Sequence, residues 1–189
     1  DMKYAASGGA DSWDRTKYLN VWICDITNGA TSGTAGYAYL PSTGSLPPSD
    51  IDGIVIDYNL GTDPGSNVLT HETGHYLGLN HTWESSSSLG TCSDDDGFTD
   101  TPQSDQPAFN FANSCTGSGV TPCGVEVQYE NYMDYSNCTV MFTEMQDAYM
   151  NSILSGVRSS LLSSNGCTPV YTLDASISAV IDPNGSYCG

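Results

Sequence analysis

Residues 71–81 read His-Glu-Thr-Gly-His-Tyr-Leu-Gly-Leu-Asn-His and contain all three histidines of the chain. On a helix, His71 and His75 stand one turn apart on one face with Glu72 beside them, so both imidazoles can reach one metal ion. Gly78 suits a left-handed residue that ends the helix and turns the chain back, letting His81 approach the same ion from outside it. Three neutral imidazoles and a water make a tetrahedral zinc site with one open position, the catalytic rather than the structural arrangement. The expected chemistry is peptide hydrolysis. A bare His-Glu-x-x-His also occurs by chance on amphipathic helices, but here Gly78 and His81 extend the pattern.

Charge and cysteines narrow the setting. Four Lys+Arg against 22 Asp+Glu give a formal net charge of -18. Such a field repels nucleic acid and anionic membranes and attracts cations, so protein or peptide substrates are expected and nucleic acid is not. The seven cysteines form no Cys-x-x-Cys pair, and several lie in loops rich in Gly, Ser and Asp. That usage fits disulfides in a secreted, extracellular protein, and an odd count leaves at least one thiol free or paired outside the chain. No apolar run approaches membrane-spanning length, so no insertion is expected. Asp1 opens the chain without a leader, which reads as a processed or cloned mature form.

Alternating apolar residues suggest strands at 18–26, 35–40 and 52–58. The helix carrying the histidines should begin near Ser66 to Val68 and end at Gly78. From 84 to 129 no periodicity is sustained, so disulfides or bound ions must hold that region. Thr143-Glu144-Met145-Gln146 matches a capping box, and Met145, Tyr149, Ile153 and Val157 continue at helical spacing, predicting a helix to about Leu161. Residues 168–189 read as a linker and the first strand of a further β module.

Several phrases accompany the histidine motif: Tyr18-Leu-Asn-Val-Trp, Asp52-Gly-Ile-Val-Ile-Asp, Asp100-Thr-Pro, Asn131-Tyr-Met-Asp-Tyr and Met141-Phe-Thr-x-x-Gln146. Together they resemble the pappalysin (ulilysin-like) family of metzincin zinc metallopeptidases over nearly all of residues 1–167. The resemblance implies an α+β, zincin-like catalytic domain at 1–167. Its upper part, 1–81, would hold a twisted mixed β-sheet and the zinc helix; its lower part, 82–167, would be loop-rich and end in a C-terminal helix. Glu72 would be the general base on the water at the metal and then the proton donor to the leaving amine. Tyr135 would help stabilise the oxyanion or switch on and off the zinc, Met133 would floor the zinc ligands, and the strand 52–58 would form the upper rim of the cleft, where an extended substrate adds on as a β-strand.

The acidic run from Asp94 to Thr101 reads either as a solvated charged loop or as a calcium site. The resemblance implies calcium, with side chains from Asp96 and Thr101 and carbonyls from Asp95 and Thr99. Cys92, Cys115, Cys123 and Cys138 permit three pairings. The resemblance implies Cys92 with Cys123 and Cys115 with Cys138, leaving Cys24, Cys167 and Cys188. Relatives that prefer arginine on the primed side carry an acid just after the methionine segment, whereas Ser136-Asn-Cys-Thr139 has none. A broad primed-side preference is therefore expected. The alternatives are an astacin-like or reprolysin-like metzincin, or a non-catalytic extracellular zinc-binding module. Glu72 speaks against the module, since a structural site needs no base.

Overall fold

The computed structural model describes residues 2–29, 33–42, 44–62, 65–85, 88–89, 91–93, 95–107, 121–136 and 138–166. The module expected at 168–189 lies outside them, as do Asp94, Cys115, Asn137, Cys167 and Cys188.

Three short strands form the upper sheet: β1 (Val21–Cys24), β2 (Gly36–Ala38) and β3 (Ile54–Asp57). Their order is β1-β3-β2, with β1 parallel and β2 antiparallel to β3. Ile54, Val55 and Ile56 are buried on both faces, the signature of a central strand. This corrects one expectation. The stretch 52–58 cannot be the rim of a cleft, because neighbours occupy both of its edges. Among the described residues, β2 carries the open edge on the site's side.

Helix α1 (Val68–Tyr76) packs on β2 and β3 and sets Tyr76 on Ile54 and Ile56. Beyond it, Leu79, Met133 and Met150 form a second cluster that joins the end of α1 to the lower part. Burying each such side chain is worth about 1.5–3 kcal/mol. The site lies where the two clusters meet. A two-stranded ribbon follows, β4 (Glu84–Ser85) with β5 (Ser88–Leu89).

Helix α2 (Glu144–Ser155) opens on the expected capping box: the Thr143 side chain accepts from the Gln146 amide, and Gln146 returns the bond to the Thr143 N–H. The Asp100 carboxylate also accepts from the Thr143 hydroxyl (2.9 Å) and the Met145 N–H (2.8 Å), placing a negative charge at the helix start. The helix does not run to Leu161 as the spacing predicts. It stops at Gly156, and a 3-10 turn follows at Ser159–Ser163. The break serves Arg158, which turns inward, only 1 % exposed. Its guanidinium grips Asp52 through two bonds (3.0 and 2.9 Å), donates Nε to the Tyr76 carbonyl (2.9 Å) and lies over the Tyr76 ring.

Cys92 and Cys123 form a disulfide, and Cys138 is also disulfide-bonded. Cys24 is a half-buried free thiol.

Candidate active site

Helix α1 places His71 and His75 one turn apart, and the reversal at Gly78 (φ 92°) brings His81 back to them. The Leu79 N–H then closes on the Gly74 carbonyl (2.9 Å), as a left-handed cap requires. His81 Nε2 comes to rest 3.2 Å from His71 Nε2 and 3.1 Å from His75 Nε2.

The outer ring nitrogens decide what this cluster is. His71 Nδ1 meets the Tyr132 carbonyl (2.6 Å), His75 Nδ1 the Leu79 carbonyl (2.7 Å) and His81 Nδ1 the Glu84 carboxylate (2.7 Å). All three partners only accept, so each Nδ1 carries the proton and each Nε2 presents a lone pair. Burial first, and the neighbouring imidazoles second, push His75 and His81 down to about 3; burial likewise lowers His71. The His81–Glu84 contact is therefore a neutral imidazole donating to a carboxylate rather than an ion pair. Three lone pairs facing one another repel unless a cation sits between them. A tetrahedral zinc with Zn–N near 2.05 Å would hold its nitrogens about 3.3 Å apart, so the donor set fits zinc.

Glu72 is 5 % exposed, and its Oε2 is buried without a hydrogen-bond partner. Burial pushes its carboxyl up to about 8, against the Ala38 N–H of β2, which favours the carboxylate. Beneath the helix, Met133 is fully buried. A side chain at Gly74 would run into the Met133 sulfur, so a glycine there lets helix and floor touch. Asn131 holds that floor: its Oδ1 accepts from the Met133 N–H (2.9 Å), and its Nδ2 donates to Gln146 (2.9 Å). Tyr135 lies 4.8 Å from the His81 ring, centroid to centroid, and is half exposed. Burial, then Glu84 and Glu72, push its hydroxyl up to about 12, so it stays protonated at neutral pH.

Residues 71, 72, 75, 78, 81, 133 and 135 thus come together. Two neighbours were not anticipated. Trp83, 3 % exposed, stacks on His81 at 4.5 Å with the rings 3° apart, and Glu84 anchors the same imidazole. The i,i+3 spacing of His81 and Glu84 was the available signal.

The acidic loop is less gathered. Asp95 accepts from the Ser104 N–H (3.2 Å), while Asp100 serves α2. Asp96 is buried beside Thr101, whose hydroxyl donates to its Oδ1 (2.7 Å), and its Oδ2 has no partner. Thr99 turns its hydroxyl to Met145. Among the described residues, no three carboxylates of this loop converge on one point.

The peptidase M43 family model, described as pregnancy-associated plasma protein-A, matches residues 5–155. The chain belongs to that family. An extracellular metalloprotease of Verticillium alfalfae is 34 % identical over 145 residues, covering 68 % of this chain and 47 % of that protein. Extracellular metalloprotease 1 of Coccidioides posadasii is 33 % identical over 154 residues, covering 71 % and 49 %. The chain therefore spans about half the length of these relatives. Among solved structures, mature mirolysin of Tannerella forsythia in complex with a cleaved peptide superimposes with TM-score 0.64 at 31 % identity, over 85 % of this chain and 62 % of mirolysin. The fold is the α+β zincin type of that family.

Proposed function

We propose that residues 1–167 form the catalytic domain of a secreted zinc endopeptidase, with an upper part at 1–81 and a lower part at 82–167. One observation carries the reading. Three imidazole lone pairs converge beside a buried carboxylate oxygen that has no partner. His71, His75 and His81 would hold zinc, which when bound acidifies water and polarises the scissile carbonyl.

The chain's own groups do the rest. Glu72, in the carboxylate form that the Ala38 N–H favours, takes a proton from the attacking water and returns it to the leaving amine. Tyr135, protonated at neutral pH, donates to the oxyanion as it develops. The open edge of β2, whose Ala38 already faces Glu72, takes the substrate backbone as an added strand. Mirolysin with its cleaved peptide supports peptide as substrate, and the extracellular relatives support secretion.

The test is Glu72→Gln. Peptide hydrolysis should fall by the ~10²- to 10⁴-fold typical of a positioned acid-base group, while one equivalent of zinc stays bound. Near-normal turnover in the zinc-loaded variant would overturn the reading.

Calcium is the second proposed ion, at Asp96 and Thr101 with carbonyls from Asp95 and Thr99. Its support is the buried, unpartnered Oδ2 of Asp96, whose carboxyl burial pushes up to about 6. A cation would relieve that oxygen. Removing calcium with a selective chelator that spares zinc should lower the melting temperature. An unchanged melting curve would refute the site.

A further inference from the structure

The three histidine anchors differ in kind. His71 and His75 each donate Nδ1–H to a backbone carbonyl, whereas His81 donates to a carboxylate. A carbonyl orients an imidazole. A carboxylate also shares negative charge with the ring and raises the basicity of the opposite nitrogen. Glu84 is built for that position. The chain turns tightly after His81, so the Glu84 N–H closes on the His81 carbonyl (3.0 Å) while Glu84 Oε2 folds back to the ring (2.7 Å). Trp83, between them in sequence, stacks on the face of the same imidazole. His81 is thus held in its plane by Glu84 and across its face by Trp83. It needs both, because His71 and His75 ride on α1 while His81 stands on a loop.

We infer that Glu84 is a positioning residue that fixes the tautomer and plane of His81 and strengthens it as a metal ligand. The inference rests on the zinc reading above. Glu84 touches neither the substrate edge of β2 nor the carboxylate of Glu72 in any described contact, but its charge also reaches the Tyr135 hydroxyl, so zinc affinity rather than turnover reads what it does through His81. The charge also has a cost: a more basic ligand leaves the cation a weaker Lewis acid, so tight holding and fast turnover pull in opposite directions.

The test is zinc affinity, read by competition with a chromophoric chelator, for the parent chain and for Glu84→Ala, Glu84→Gln and His81→Ala. Glu84→Ala should bind zinc ~10- to 100-fold more weakly than the parent. Glu84→Gln should fall between them, because its amide oxygen accepts the hydrogen bond without the charge. The melting temperature of the metal-free protein should fall in Glu84→Ala, which leaves the largely buried His81 Nδ1–H without its acceptor, and stay close to the parent in Glu84→Gln, which keeps the bond. Parent-like zinc affinity in Glu84→Ala, with weak binding in His81→Ala, would overturn this inference alone. A lowered metal-free melting temperature, equal in both Glu84 variants, would also overturn it by making the role purely structural. Parent-like affinity in His81→Ala would remove the zinc reading and the inference together.

Discussion

Gly78 does two jobs that a side chain would spoil. Its φ of 92° is a left-handed conformation, and a Cβ there would press on Tyr149 and Ile153 of α2. Gly78→Ala should therefore destabilise by more than the ~1 kcal/mol that loss of left-handed freedom alone costs, and should loosen zinc by shifting His81. Thermal unfolding and zinc titration of the variant check both; a variant as stable as the parent would show that the turn is not strained. The sequence reveals Gly78, since its spacing from His75 and His81 is local. Gly74 is less legible: its reason is Met133, 59 positions along the chain, and no spacing rule links the two. Asp100 is similar. In the sequence it is one more acid of a run, and only the arrival of α2 makes it a cap.

At the scale of elements, β3 is pinned at both ends by acids. Asp52 is gripped by Arg158, and Asp57 accepts from the amides of Ile26, Asn59 and Leu60 and from Thr27. Burial pushes the Asp57 carboxyl up, but those donors outweigh it and hold it below the ordinary carboxylate range. A depressed folded value stabilises the fold above the unfolded value of about 3.9 and loses that contribution as pH falls through the folded one. Asp57→Asn should thus melt lower than the parent at neutral pH, with the gap closing as the solution is acidified. A constant gap would mean that the side-chain amide, not the lost charge, is responsible. Alternation showed all three strands but not their order. The apolar run of β3 marks burial, and the parallel crossover that puts β1 on its far side is settled by tertiary packing.

Across the whole molecule, the four cations are already committed. Lys3 donates to the Ile51 carbonyl, Arg15 and Arg158 meet Asp52, and Lys17 pairs with Asp14. None faces the histidines, so Glu72 and Glu84 see little positive charge from the protein. Basic peptides should be favoured through the net charge of -18, and the bias should fade once the screening length drops to ~10 Å near 0.1 M salt. Comparing kcat/KM for basic and neutral peptides across ionic strength checks this. A sharp, salt-independent choice of arginine would point instead to a carboxylate inside the subsite. The anchors of the histidines also differ in reach, and loop closure favours one order of assembly. His75 and His81 find theirs 4 and 3 residues away, whereas His71 waits for a carbonyl 61 residues on. Closing the long loop carries the larger entropic cost and comes late. Until then a nascent chain offers two oriented imidazoles and one free to swing, so full coordination of the metal belongs to the end of folding rather than its beginning.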